Sequence, residues 1–191
     1  GLNLNVDRSN KYTGDWTIDL KGGNDTLNSA KLKDGDSIDM GAGDDSVSVM
    51  LTGSNGTPAF GSANITKLDG GAGTDTLSFE EGTPTAGTTL SLTTANATNF
   101  ENLTGGSNAE TLNGDNNANT LNGKGGADTL NGNGGNDILV ASGNTLAGAD
   151  SASTNDNLYG GSGDDTLNGT AGDNILDGGT GADTIYRGGG S

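Results

Sequence analysis

The apolar residues of this 191-residue chain fall at a fixed step rather than in blocks. Leu158, Leu167, Leu176 and Ile185 lie nine residues apart, and Leu103, Leu112, Leu121, Leu130 and Leu139 keep the same step. Leu68 and Leu77 repeat it earlier, as do Ile38 and Val47. Thr166-Leu167-Asn168 alternates polar, apolar, polar, which predicts a three-residue strand with one buried face. The residues before each such triplet are rich in Gly, Asn and Asp, which tolerate positive φ and make turns. Each nonapeptide therefore predicts one turn and one very short strand. Two of them predict a coil of about 18 residues, and stacked coils merge their Leu and Ile side chains into a thin core. The predicted class is all-β, a β-solenoid with two nonapeptides per coil. Thr111, Thr120, Thr129, Asn113, Asn122 and Asn131 are expected to face outward beside that core.

Breaks in the period predict loop excursions. Leu27 to Ile38 is 11 residues, two over the step, which leaves Asp25 and Asp45 on one side. Val47 to Leu68 is 21, one step plus 12, and places TGSNGTPAFGSA in an excursion. Leu77 to Leu103 is 26, one coil plus 8, around EEGTPTAGTTLSLTTANA. Leu139 to Leu158 is 19, which reads as one coil plus one residue. In that register one column of turns runs through Asp25, Asp45, Asp75, Glu101, Asn119, Asp137 and Asp156. The opposite column holds Asp36, Glu110, Asp128, Asp165 and Asp183.

Composition narrows the function classes. Only 29% of residues are apolar, against roughly 45–50% in ordinary globular chains. One apolar side chain per half-coil is too little to offset the ordering of a glycine-rich backbone, so a further favourable term is wanted. Low hydrophobicity with high charge is also the mark of disorder; the regular period argues against it. Lys plus Arg is 8 and Asp plus Glu is 25, a net charge of −17. That charge opposes nucleic acid and anionic membrane surfaces and suits bound cations. With no Cys and no His, thiol chemistry, His-assisted nucleophiles and the usual zinc ligands are excluded. No run of about 18 apolar residues exists to span a membrane. The scattered Ser residues have no His to activate them, so no enzyme is expected here.

The acids carry the candidate chemistry. In most units a carboxylate or Asn stands two residues before the apolar position. Asp165 and Asp183 are 18 apart, as are Asn119 and Asp137, Glu110 and Asp128, and Asp156 and Asn174. Facing carboxylates repel unless a cation lies between them, and glycine turns add unhindered carbonyl oxygens. An all-oxygen, flexible donor set selects Ca²⁺ over Mg²⁺.

The units GGAGTDTLS (70–78), GGSGDDTLN (160–168) and GGTGADTIY (178–186) match G-G-x-G-x-D-x-U-x, U being a large apolar residue. GKGGADTLN (123–131), GNGGNDILV (132–140), MGAGDDSVS (40–48) and LKGGNDTLN (20–28) are near matches. The chain resembles the RTX, or haemolysin-type calcium-binding, nonapeptide-repeat family. The resemblance implies a right-handed parallel β-roll with several Ca²⁺ ions held between successive same-side turns. The implied ligands are Asp25, Asp45, Asp75, Glu110, Asp128, Asp137, Asp156, Asp165 and Asp183. Turn carbonyls would join them around Gly70, Gly71, Gly73, Gly160, Gly161, Gly163, Gly178, Gly179 and Gly181. Asp36 and Glu101 read rather as turn acids bonding their own backbone, and Asp164 is expected to point to solvent. Glu110 departs from the motif by length, and Asn119 and Asn174 by charge.

Four regions are expected. Residues 1–19 form an N-terminal cap with Trp16 and Ile18 as its lid, 20–104 degenerate coils with long loops, 105–186 the regular roll, and 187–191 a tail or linker. The chain reads as a module of something longer. The resemblance implies an extracellular, secreted or cell-surface bacterial protein of adhesin or surface-layer type, exported by type I secretion. Its expected partners are calcium ions and other copies or neighbouring modules of the same surface protein. The alternative is an accessory domain of a secreted enzyme or toxin such as a protease, lipase, epimerase or cytolysin.

Overall fold

In a computed structural model the described residues are 1–5, 15–30, 35–50, 66–80, 88–93, 97–141 and 154–188. They contain no helix and form eighteen short strands. The chain divides into two compact units, Gly1–Thr85 with Leu92–Asn102, and Ala86–Ser91 with Leu103–Ser191. Each is a stack of parallel strands, an all-β parallel β-roll.

In the first unit, β1 (Asn3–Asn5), β3 (Thr26–Ala30), β5 (Ser46–Met50) and β7 (Thr76–Glu80) follow one another in one sheet. The second sheet runs β2 (Thr17–Asp19), β4 (Ser37–Asp39), β6 (Lys67–Asp69) and β9 (Ala97–Thr98). Register places apolar on apolar: Leu4, Leu27, Val47 and Leu77 pair in turn, as do Ile18, Ile38, Leu68 and Ala97. Leu27, Ile38, Val47, Leu68 and Leu77 are fully buried. Ile18, expected as part of a separate lid, pairs with Ile38 and is half-buried, so Thr17–Asp19 sits in register with the second sheet.

In the second unit, β8 (Thr88–Ser91), β11 (Glu110–Asn113), β13 (Thr129–Gly134), β15 (Asn157–Ser162) and β17 (Ile175–Thr180) form one sheet. β12 (Thr120–Asn122), β14 (Ile138–Val140), β16 (Thr166–Asn168) and β18 (Thr184–Tyr186) form the other. β10 (Asn102–Thr104) supplies Asn102 to the first unit and Leu103 to the second. Leu90, Leu112, Leu130, Leu158 and Leu176 stack in one line, and Leu121, Leu139, Leu167 and Ile185 in the other. All are fully buried except the last pair: Leu176 is half-buried and Ile185 is exposed, because no described coil follows them.

Two register expectations are corrected. Leu130 pairs with Leu158 and Leu139 with Leu167. The 19 residues from Leu139 to Leu158 are thus a nine-residue half-coil with ten added, not an 18-residue coil with one added. Asp156 therefore moves to the column of Glu110 and Asp128, and Asp165 and Asp183 to that of Asn119 and Asp137. The other correction concerns 80–97, read as a loop; its TTLS segment is β8, in register with Glu110–Asn113. The excursion at 52–63 lies outside the described residues.

Candidate metal centres

Number each nonapeptide so that the acid is at position six and the core residue at eight. The side chain at position six then links each turn to the one before it. In the first unit the Asp25 N–H donates to Asp45 Oδ1, the Asp45 N–H to Asp75 Oδ1 and the Asp75 N–H to Glu101 Oε2, each at 2.7 Å. The Trp16 N–H makes the same bond to Asp36 Oδ1 at 2.9 Å. Asp36 and Glu101 therefore accept from another turn rather than only from their own. In the second unit one column runs from Asn119 to Asp137 (2.8 Å), Asp165 (2.8 Å) and Asp183 (3.0 Å). The other runs from Glu110 to Asp128 (2.8 Å), Asp156 (2.7 Å) and Asn174 (2.8 Å).

One oxygen of each linking aspartate is thereby occupied. In six of them the other is bare: Asp25, Asp45, Asp75, Asp128, Asp137 and Asp165 each bury Oδ2 with no hydrogen-bond partner, as Glu110 buries Oε1, whereas Asp156 Oδ2 accepts from Thr154 Oγ1 at 3.0 Å. A buried carboxylate oxygen without a partner is costly and demands an explanation. At Asp75, Asp128, Asp137 and Asp165 the wall beside it is the glycine at position one. A Cβ on Gly160 would stand 2.4 Å from Asp165 Oδ2 and 2.5 Å from the Gly178 carbonyl oxygen. On Gly132 it would meet Asp137 Oδ2 at 2.3 Å and the Gly160 carbonyl at 2.5 Å; on Gly123, Asp128 Oδ2 at 2.4 Å and the Ala141 carbonyl at 2.5 Å. The bare oxygens of Asp128, Asp137 and Asp165 thus share a tight space with a carbonyl of the next same-side turn.

Positions two and four hold the turn open. Both take positive φ in eight of the described turns, as at Gly71 (105°) and Gly73 (147°), Gly161 (110°) and Gly163 (132°), and Gly179 (92°) and Gly181 (137°). Lys21, Lys124, Asn133 and Thr170 bear the same conformation at position two without the freedom of glycine. The carbonyls between these residues lie against the next turn, where a Cβ on Gly163 would meet the Gly135 oxygen at 1.8 Å.

Burial, reinforced by neighbouring carboxylates, raises four acids of the ion-free fold. Asp75 and Asp137 are pushed up to about 6, Asp128 to about 8, and Asp165 also upward. Desolvation is the largest cause in each case, opposed by the N–H each accepts. Among the described residues no group of three or more acids converges. Any donor set there must therefore draw on backbone carbonyls beside the carboxylates. Bare buried carboxylate oxygens beside carbonyls, with no nitrogen or sulfur donor, fit a hard divalent cation of calcium's size.

Not every turn shares this arrangement. At Glu110 the Gly106 N–H donates to Oε2 at 3.1 Å, and at Asn119 the Asp115 N–H donates to Oδ1 at 2.7 Å. At Asn174 the side-chain amide donates to the Gly169 carbonyl. Sequence reasoning also missed an outer ladder at position five, running in the opposite sense. The Asp44 N–H donates to Asn24 Oδ1, the Thr74 N–H to Asp44 Oδ1, the Asp164 N–H to Asn136 Oδ1 and the Asp173 N–H to Asn155 Oδ1, at 3.0–3.1 Å. Asp164 is exposed, as expected, yet its Oδ1 accepts the Ala182 N–H at 2.8 Å. The recurrence of Asn or Asp at position five was the available signal.

A solenoid with such turns defines a class of metal-stapled β-rolls. Residues 67–85, 104–143 and 159–191 match the RTX calcium-binding nonapeptide repeat, in four copies. These segments carry RTX calcium-binding repeats, whose nonapeptides bind several Ca²⁺ ions per domain. The family is a structural calcium-binding repeat rather than a catalytic one. No curated protein matches the chain.

Proposed function

We propose that this chain is a calcium-folded structural module of a large secreted or cell-surface bacterial protein, of adhesin or surface-layer type. The observation that supports it is the row of buried, unpartnered carboxylate oxygens. An ion that binds only the folded chain stabilises it by mass action, and millimolar extracellular calcium would supply that stabilisation outside the cell. Inside, where calcium is scarce, the repelling acid columns would keep the chain unfolded. The proposed carboxylate ligands are Asp25, Asp45, Asp75, Asp128, Asp137, Asp156, Asp165 and Asp183. Around Gly70, Gly71, Gly73, Gly160, Gly161, Gly163, Gly178, Gly179 and Gly181, the turn carbonyls complete the donor sets.

Circular dichroism and hydrodynamic radius, measured in excess EGTA and in millimolar Ca²⁺, test this reading. Calcium should raise the β signal and shrink the radius. Equal values in the two conditions would show that calcium does not staple the fold.

A further inference from the structure

The coil made by residues 105–122 closes its turns differently from those on either side of it in sequence. In GGSNAETLN the position-two N–H of Gly106 donates to Glu110 Oε2 at 3.1 Å. In GDNNANTLN the position-two N–H of Asp115 donates to Asn119 Oδ1 at 2.7 Å. Neither turn has a positive φ at position two or four, whereas the turns of Asp128 and Asp137 have it at Lys124, Gly126, Asn133 and Gly135. The backbone has rotated so that a position-two amide hydrogen faces the position-six side chain, although the carbonyl of the next same-side turn, Gly123 or Gly132, still lies beside it.

An N–H there does electrostatically what a cation does elsewhere: it places positive charge against a buried oxygen. It also competes with a cation for Oε2. Glu110 Oε1 is buried and accepts no hydrogen bond, so it is the position-two N–H and the absence of positive φ at positions two and four that set the turn apart. At Asn119 the conflict is sharper. Its oxygen is fixed by the Asp115 N–H, which settles which end of the amide is which. Its Nδ2, on a side chain only 3% exposed, has no acceptor. An amide nitrogen has two donors and no lone pair for a metal.

We infer that the coil of Glu110 and Asn119 is metal-free, closed by backbone N–H groups in place of calcium. Calcium loading in the second unit then begins at Asp128 and Asp137, and Glu110 is a hydrogen-bond acceptor rather than a ligand. This rests on the reading that the other position-six aspartates bind the ions.

The test counts ions bound per full-length chain by native mass spectrometry in calcium, alongside a calcium titration followed by circular dichroism. Glu110→Gln keeps the acceptor oxygen and removes the charge. It should bind as many ions as the parent chain, with a midpoint within about two-fold of it. Asp128→Asn should bind at least one ion fewer. A lost ion in Glu110→Gln, or its failure to fold in millimolar calcium, overturns the inference, since deleting a charge that holds no ion should leave both intact. An unchanged count in Asp128→Asn would instead overturn the ligand reading itself.

Discussion

Replacing Gly160 by Ala tests the site through its wall rather than through its charge. Gly160 does not have a positive φ, so the backbone accepts an alanine without strain. The added Cβ would lie 2.4 Å from Asp165 Oδ2 and 2.5 Å from the Gly178 carbonyl oxygen, far inside the roughly 3.5–4.0 Å optimum for non-bonded heavy atoms. One of these is backbone held in the stack, so the two oxygens must spread by about an ångström. Overpacking of this kind costs about 1–3 kcal/mol. If that strain is relieved by losing the ion's oxygen donors, calcium affinity at this turn falls between about 5-fold and 150-fold. Gly125→Ala is the control: its Cβ would find only ordinary contacts with Ser107, at 3.6–3.9 Å. Isothermal titration calorimetry of both variants with Ca²⁺ separates them. The reasoning fails if Gly160→Ala keeps the parent's calcium affinity and ion count, or if Gly125→Ala loses as much.

Two further outcomes follow from the same turns. Burial raises Asp75 and Asp137 to about 6 and Asp128 to about 8, against 3.8 when unperturbed, so protons favour the ion-free fold. In EGTA that fold should be most stable below about pH 4 and weaken as pH rises through 6 to 8, read as the β signal at pH 4 against pH 8.5. With calcium present the slope reverses, and the calcium midpoint should rise as pH falls from 8 to 5; pH-independent signals in both conditions would contradict the burial of these acids. Of the adjacent pair in GGSGDDTLN, Asp165→Ala should remove an ion and strand the Asp137 N–H, at about 1–3 kcal/mol, whereas Asp164→Ala should lose only the Ala182 bond, about 0.5–1.5 kcal/mol. Ion counts with urea melts in calcium decide between them, and an ion lost in Asp164→Ala would refute the assignment.

The core line was legible because a nine-residue step puts Leu112, Leu121, Leu130 and Leu139 on alternate sheets with nothing between them to disturb the count. The register after Leu139 was not. A half-coil plus ten and a full coil plus one have the same length, and only the pairing of Leu130 with Leu158 tells them apart. The β8 strand hid because the sequence before Leu90, TPTAGTT, lacks the motif glycines at positions one, two and four and the acid at position six. Position-six acids could be read from the motif, but not which had a bare oxygen. That depends on whether the position-two N–H turns toward the side chain, as at Gly106 and Asp115. Sequence does not encode it in one residue, since Gly106 could adopt either conformation.

The two ladders give the stack a direction of injury. At position six each turn's amide leans on the side chain of its successor, so a lesion at Asp183 is felt at Asp165, upstream. At position five the dependence is reversed, and a lesion at Asp164 is felt at Ala182, downstream. Where position five is alanine, as at Ala109, Ala118 and Ala127, no side chain carries the second message. At those turns the position-six links between coils point toward the N-terminus, and only the backbone ladder, as in Ile138 N–H to the Asn119 carbonyl, carries the dependence the other way.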